Sequence, residues 1–146
     1  MRNTRVLRAW SACVLLALGL ATDAHAEDIQ IIVNNSNPAS TLSAEYVSKA
    51  FRGKVTQWDH GGKIQPVDRS GRSAVRASFS EDVVGKSVSA VKAHWQRMVF
   101  SGRGVPPPEL GSDAEVMAFV ERHPGGIGYV TAGTALKGVK AVEVRR

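Results

Sequence analysis

Three arginines and two serines cluster around a Ser-Gly turn in the segment from Pro66 to Phe79. The cluster consists of Arg69, Ser70, Arg72, Ser73 and Arg76. A strand-like run enters the turn and a helix-like segment leaves it. A helix start presents unpaired backbone N–H groups and a partial positive charge, so it can hold an oxyanion when guanidinium and hydroxyl groups lie beside it. The segment therefore predicts an anion site, to which the N–H groups of Ala74 and Val75 would also donate.

The same residues have a second interpretation, a capped helix start whose arginines face water. The segment alone does not decide between the two. Asn34, Asn35 and Ser36 follow the first predicted strand and are secondary candidates, because ligand sites of open α/β sheets lie beyond the carboxyl ends of strands. An ordinary polar turn is the alternative for these three residues.

The sequence shows no recognisable set of catalytic residues. His60, His94 and His123 lie far apart, outside any H-x-x-x-H or H-E-x-x-H frame, so we predict no metal site. The turn lacks the Gly-Lys-Ser/Thr ending of a nucleotide phosphate loop, and no Gly-x-Gly-x-x-Gly fingerprint is present. We therefore predict a protein that is not an enzyme, with no catalytic residues and no cofactor.

The first 26 residues have the pattern of a cleaved signal peptide, with three arginines, an apolar run over 11–21 and Ala24-His25-Ala26. The apolar run is shorter than the ~20 residues that span a bilayer, which makes a retained anchor the weaker alternative. Cys13 is the only cysteine and lies in this segment. We expect a periplasmic protein whose single domain covers residues 27–146.

The charge of that domain is modestly basic, and its arginines are dispersed. Export and dispersed charge argue against a nucleic-acid partner and favour a small anionic ligand. Strands and helices alternate along the chain. Strands are predicted at 28–33, 64–67, 127–130 and 139–144, and helices at 43–53, 73–84, 87–100 and 112–123. This order predicts an α/β fold, a single compact domain with a small mixed or mainly parallel sheet flanked by helices.

Four segments of the chain resemble the substrate-binding proteins of phosphate ABC transporters, which are type II periplasmic binding proteins. The segments are 42–54 with Trp58, 64–79, 95–102 and 123–130, the last containing Pro-Gly-Gly-Ile-Gly-Tyr. They span nearly all of the predicted mature chain but match a single lobe. The resemblance implies an exported domain that captures phosphate or a similar oxyanion, with an ABC permease or another envelope protein as its partner.

Arg69 and Ser73 match the arginine and serine of the family's anion site, but Gly71 stands where the family has aspartate, and Ala74-Val75 where it has Gly-Thr. The family's aspartate accepts a proton from phosphate and helps to reject fully ionised anions, so its absence affects selectivity between phosphate and sulfate. A single lobe also leaves the ligand half exposed, which favours weak binding and suggests a homodimer that covers the open face. An adaptor that keeps the fold without binding an anion is the alternative, and an exported hydrolase is disfavoured.

Overall fold

The computed structural model describes residues 28–146, so the predicted signal peptide lies outside the described residues. The helices and strands, in chain order, are β1 (Ile29–Asn34), β2 (Thr41–Ser43), α1 (Ala44–Phe51), β3 (Gln65–Pro66), β4 (Asp68–Arg69), α2 (Ala74–Phe79), a π-helical segment (Ser80–Val84), α3 (Val88–Phe100), β5 (Glu109–Leu110), α4 (Asp113–Arg122), β6 (Gly126–Thr131) and β7 (Val139–Arg145). In this part of the chain, none of the helices has the length and apolar character needed to cross a bilayer.

The main sheet is mixed and has the strand order β2-β7-β1-β6-β3. Its central strand β1 is antiparallel to both neighbours, β6 and β7. The outer strands are parallel to theirs, β2 to β7 and β3 to β6. The α/β prediction with a mixed sheet is confirmed, whereas a mainly parallel sheet is not what forms, because the two pairings of the central strand are antiparallel.

The strand predicted at 64–67 forms only as β3, Gln65–Pro66, and a further short strand, β4, follows at Asp68–Arg69. Val67 still donates its N–H to the carbonyl of Ile127 on β6, at 2.9 Å. After Val67 the chain leaves the main sheet, and β4 pairs in parallel with β5 as a second, two-stranded sheet. This change of partner brings the Arg69 side chain to the start of α4, where it pairs with Asp113.

The main sheet is buried on both faces, which explains the continuous apolar run of β1. Ile31 and Val33 face a core with residues of α1, α2 and α3, while Ile32 faces a second core with residues of α4. Gly128 on β6 lets α4 pack closely, since a Cβ at this position would lie 2.7 Å from a methyl group of Val116. Burial of alternate residues on opposite faces is what the two-residue period of a strand requires.

The predicted helix starts at Ser43, Ser87 and Ser112 are confirmed, and each serine caps its helix. Each hydroxyl accepts a hydrogen bond from the backbone N–H three residues later. The Glu115 carboxylate in turn accepts the N–H of Gly111, at 2.9 Å. The N-terminus of α4 is therefore held by two side chains, those of Ser112 and Glu115. These bonds place the first residue of α4, Asp113, beside the end of β4.

Candidate functional site

The segment predicted to hold an anion is a tight turn between β4 and α2, which we call the anion turn and define as Ser70 to Val75. The N–H of Ser70 donates to the carbonyl of Leu110 on β5, at 2.9 Å. The N–H of Ser73 donates to the carbonyl of Ser70, also at 2.9 Å, and closes the turn. The small sheet therefore fixes where the turn begins, and the helix that follows fixes where it ends.

Ser73 is the N-cap residue of α2 but does not cap the helix with its side chain. Its backbone is extended, with φ −73° and ψ 134°, as N-cap residues usually are. Its hydroxyl nevertheless makes no capping hydrogen bond, unlike the hydroxyls of Ser43, Ser87 and Ser112. The first N–H groups of α2, among them those of Ala74 and Val75, therefore have no side-chain cap and remain available to an acceptor.

This difference between the serine N-caps predicts different costs of removing their hydroxyls. Ser112→Ala should lower the free energy of unfolding by about 1 kcal/mol, because the N–H of Glu115 loses its acceptor. Ser73→Ala should leave that free energy almost unchanged, because the fold does not use its hydroxyl. Urea unfolding of the two variants measures both. Equal losses of stability would show that Ser73 caps α2 after all.

Arg69 lies at the edge of the anion turn, and an acidic residue already engages its side chain. The residue is 8% exposed, and its guanidinium forms an ion pair with Asp113 and donates to the carbonyl of Gly111 at 3.3 Å. Its Nε is buried and has no partner among the described residues. Arg69 therefore brings a cation with one unused donor, although much of its charge is balanced by Asp113.

Asp113 is held by the end of β6 as well as by Arg69. Its carboxylate accepts the N–H of Thr131 at 3.2 Å and the hydroxyl of Thr134 at 3.1 Å. Partial burial favours the neutral acid, but these hydrogen bonds and the charge of Arg69 outweigh that effect and lower the pKa of Asp113. Asp113 therefore stays ionised as the partner of Arg69.

Arg76 was a candidate ligand, and the structure corrects its position. Its side chain is only 3% exposed and lies 2.6 Å from the Asp68 carboxylate. It also donates to the carbonyl of Arg69 at 2.9 Å. Because α2 turns this side chain inward, the guanidinium supports β4 from inside the protein and does not reach the surface of the turn.

The partner of Arg76, Asp68, is the centre of a buried polar network. Its Oδ1 accepts the hydroxyl of Tyr129 and, at 2.8 Å, the N–H of Arg69. Burial raises the pKa of Asp68 even though Arg76 lies beside it. Burial and the neighbouring carboxylate also raise the pKa of Tyr129. The network ties β4 to β6 and α2, and so holds the strand that leads into the turn.

Lys92 on α3 is a cation that sequence reasoning missed. A Cβ on Gly71 would lie 2.5 Å from its Nζ, so the ammonium group occupies the space that a side chain at position 71 would need. Arg72, next in the chain, is exposed. The anion turn therefore has an ammonium group where the resemblance leads one to expect an acid. The only sequence signal was the glycine itself, because helical periodicity does not show which exposed residue of α3 reaches the turn.

Asn34, Asn35 and Ser36 do not lie with the anion turn, which corrects the expectation that they share its edge. The Asn34 side chain donates to the carbonyls of Val120 and Glu121 at the end of α4, both at 2.9 Å, while Arg69 contacts Asp113 at its start. These positions are about 12 Å apart along the helix. The reason is that β1 is antiparallel to β6, so its carboxyl end lies at the opposite edge of the sheet.

The local bonds of these three residues are those of a polar turn. The Asn34 Oδ1 accepts both the N–H of Ser36, at 2.9 Å, and its hydroxyl, at 2.7 Å. Asn35 is exposed beside them. Asn34 thus joins the end of β1 to the end of α4, which is a structural task.

The arrangement at the anion turn suits electrostatic binding. Hydroxyls, backbone N–H groups and cations converge there, and these are hydrogen-bond donors. Within residues 28–146, no group of three or more His, Cys, Asp or Glu side chains is placed to hold a metal ion.

Comparison with protein-family models shows the family of this chain. The model described as the PBP superfamily domain matches residues 20–146, so the chain belongs to that family. Comparison with curated protein sequences finds no significant match.

Solved structures of phosphate receptors share the fold. The chain is similar to an ABC-type phosphate transport receptor from Vibrio cholerae, with a TM-score of 0.63 and 23% identity over 81% of this chain and 46% of that one. It is also similar to a putative phosphate ABC transporter substrate-binding protein from Clostridium perfringens, solved with bound phosphate. Here the TM-score is 0.64 and the identity 22%, over 81% of this chain and 45% of that one. For PstS from Borrelia burgdorferi the TM-score is 0.58 and the identity 17%, over 82% of this chain and 47% of that one. The chain thus spans a little under half the length of each of these proteins.

Proposed function

We propose that this chain is an exported solute-binding domain that captures phosphate or a similar oxyanion at the anion turn and delivers it to an ABC transporter. The proposed ligand groups are the side chains of Arg69, Ser70, Arg72, Ser73 and Lys92 and the backbone N–H groups of Ala74 and Val75. Residues 1–26 would act as a cleaved signal peptide, which places the domain in the periplasm. Mass spectrometry of the exported protein tests cleavage after Ala26.

The observation that carries this proposal is the uncapped start of α2. Three other serine N-caps satisfy their helices, whereas Ser73 leaves both its hydroxyl and the helix N–H groups available. An oxyanion is the acceptor that such a start prefers, because it satisfies the N–H groups and meets the positive end of the helix. The chain belongs to the PBP superfamily, and the solved structures similar to it include phosphate receptors. Both findings support this choice of ligand.

The mechanism is binding and release, with no bond made or broken. The Ser73 hydroxyl and the N–H groups would hold the anion, while Arg72 and Lys92 would balance its charge. A turn that is open on one side leaves the ligand in contact with water, which weakens charge-assisted hydrogen bonds. Weak binding therefore follows, unless a second copy of the chain or another protein covers the open face. Light scattering with and without phosphate tests ligand-linked dimerisation.

A second candidate function is a periplasmic adaptor that keeps the fold without binding an anion. Two ion pairs favour it, since Asp113 and Asp68 already neutralise Arg69 and Arg76. Under this alternative the inward arginines would serve only the fold, and Arg72 and Lys92 would be ordinary surface cations. The two functions differ in whether the backbone at the start of α2 contacts a ligand.

Ala74→Pro tests that difference, because it removes one N–H donor without changing the charge. Proline is favoured at the first residue of a helix, and the extended backbone of Ser73 is compatible with a following proline. Losing one hydrogen bond to a charged ligand costs about 1.5–3 kcal/mol, so phosphate affinity measured by calorimetry should fall about 10-fold to 100-fold.

The matched control is Ala44→Pro, which makes the same change at the first residue of α1 after the extended N-cap Ser43. This variant should bind phosphate like the unmodified protein. Equal affinities for both proline variants would show that the N–H of Ala74 does not contact the anion. No heat from phosphate with any of the proteins would favour the adaptor.

A further inference from the structure

Three large apolar side chains are exposed at the end of α3 and in the loop that follows it, and we call them the apolar tip. They are Val99, 52% exposed, Phe100, 91% exposed, and Val105, 85% exposed. Val99 and Phe100 border a groove of about 330 Å³ together with Pro106 and Pro107. Val105 borders the neighbouring groove, which the same two prolines also line. The residues of the apolar tip thus border two neighbouring grooves that share Pro106 and Pro107.

Backbone hydrogen bonds hold the apolar tip in place. The N–H of Gly102 donates to the carbonyl of Val99 at 3.0 Å, and the N–H of Arg103 donates to that of Met98 at 2.9 Å. Gly104 packs near Trp95, because a Cβ at this glycine would lie 3.2 Å from the indole ring. A fixed loop therefore presents these side chains to solvent, where their exposure costs free energy unless something covers them.

The stretch of sequence that contains the apolar tip carries charge of one sign. The sequence contains no Asp or Glu from Val83 to Pro108, a stretch that carries Lys86, Lys92, Arg97 and Arg103. All four cations are exposed, and none forms an ion pair within residues 28–146. Arg97 precedes Phe100 by three residues, which places both on one face of α3.

Arg97 and Arg103 therefore lie on either side of Phe100 in the chain. Two carboxylates, those of Asp68 and Glu109, line the groove beside Val99 and lie 2.6 Å and 3.7 Å from Arg76. Arg76 pairs closely with Asp68, so Glu109, whose side chain is 46% exposed, remains as one acidic group at this groove. Lys92 lines the same groove, and Arg97 and Arg103 are exposed nearby in the chain, so the cations outnumber this carboxylate.

We propose that the apolar tip and its two flanking arginines dock onto the surface of an anionic lipid bilayer. Phe100, Val99 and Val105 would enter the boundary between headgroups and acyl chains, and Arg97 and Arg103 would contact the lipid phosphates. A few apolar side chains with basic neighbours are the combination by which a folded domain binds such a surface. A stable protein interface needs about 20–30 residues a side, far more than the apolar tip offers, and positive charge opposes pairing of two copies.

This inference does not depend on the proposed anion binding. Arg97 and Arg103 are not ligands of the anion turn, and a headgroup at the apolar tip would be held by different residues. Docking would bring a binding domain to the bilayer in which a transporter resides. It would act before any contact with a protein partner.

Vesicle co-sedimentation of the protein purified after export tests the proposal. The probes are vesicles of phosphatidylcholine alone and of phosphatidylcholine mixed with the anionic lipid phosphatidylglycerol, whose negative surface attracts basic side chains. We expect the protein to bind the anionic vesicles and not those of pure phosphatidylcholine. The double variant Phe100→Ser with Val105→Ser should reduce this binding at least tenfold. Arg97→Gln with Arg103→Gln should reduce it to a similar extent.

Lys137→Gln with Lys140→Gln is the matched control, because it removes the same charge from positions outside the apolar tip. The control should bind like the unmodified protein, and thermal melting should show that all variants remain folded. Equal losses for the two charge variants would overturn the proposal in favour of non-specific attraction. A dimer seen by analytical ultracentrifugation and dissolved by Phe100→Ser would overturn it in favour of self-association.

Discussion

Asp68→Ala should lower the free energy of unfolding by about 3–5 kcal/mol, a large part of the 5–15 kcal/mol typical of a domain. The change removes the close carboxylate of the buried Arg76 guanidinium and leaves only that of Glu109, 3.7 Å away and half exposed. It also removes the acceptor of the Tyr129 hydroxyl and the nearer of the two acceptors of the Arg69 N–H. Urea unfolding followed by circular dichroism measures the loss, and the unfolding midpoint should move to much lower urea.

Two further variants make this test specific. Asp68→Asn with Arg76→Met removes both charges and should recover much of the lost stability, because no unpaired ion stays buried. Glu45→Ala removes one partner of the exposed Glu45–Lys49 pair on α1 and should leave the midpoint almost unchanged. A small effect of Asp68→Ala, similar to that of Glu45→Ala, would show that the buried pair does not stabilise β4.

Lys92→Glu should weaken phosphate binding by about 100-fold or more. The change puts a carboxylate beside Gly71, where the ammonium group now lies, and a like charge next to the ligand costs as much as an opposite charge contributes. Calorimetry with phosphate and with sulfate measures the effect. Position 71 is a glycine, so the site has no carboxylate there that would need a protonated ligand. The unmodified protein should therefore bind sulfate with an affinity within about tenfold of that for phosphate.

The control for this variant is Lys137→Glu, which changes the net charge equally. Lys137 precedes Gly138, where a Cβ would meet the side chain of Glu121 near the end of α4, away from the anion turn. Phosphate affinity should stay within about twofold in this variant. If Lys92→Glu and Lys137→Glu weakened binding alike, only the overall charge of the protein would matter, and Lys92 would have no place in the site.

The sequence predicted the local features of the fold well, because local residue patterns specify them. Serine N-caps at positions 43, 87 and 112 start helices where expected. Gly85, with φ 71°, ends the π-helical segment that extends α2, close to the end predicted for that helix. The Ser112-x-x-Glu115 pattern caps α4. Each of these features depends on residues within about four positions of one another.

Strand direction could not be predicted in the same way. A strand of six residues such as β1 has the same apolar pattern whether its neighbours are parallel or antiparallel. The antiparallel pairing with β6 moves Asn34 to the edge opposite the anion turn. The three-residue strand β2 was missed for a related reason, since its pairing with β7 is formed by residues about a hundred positions away.

The partners of the arginines at the site also depend on the tertiary fold. Asp113 lies 44 residues from Arg69 in the sequence and reaches it only because β4 leaves the main sheet for β5. Arg76 points inward because its position on α2 faces Asp68. The sequence could show that cations cluster near the turn, but not which of them a carboxylate would neutralise.

A phosphate titration of the backbone amides of Ala74 and Val75, followed by NMR spectroscopy, tests the central claim most directly. If the uncapped start of α2 holds an oxyanion, both amide protons should move downfield and reach a plateau, with smaller changes at Gly71 and at the Lys92 side chain. Sulfate should cause similar shifts. If these amides do not move at millimolar phosphate while the protein remains folded, the anion turn does not bind an oxyanion.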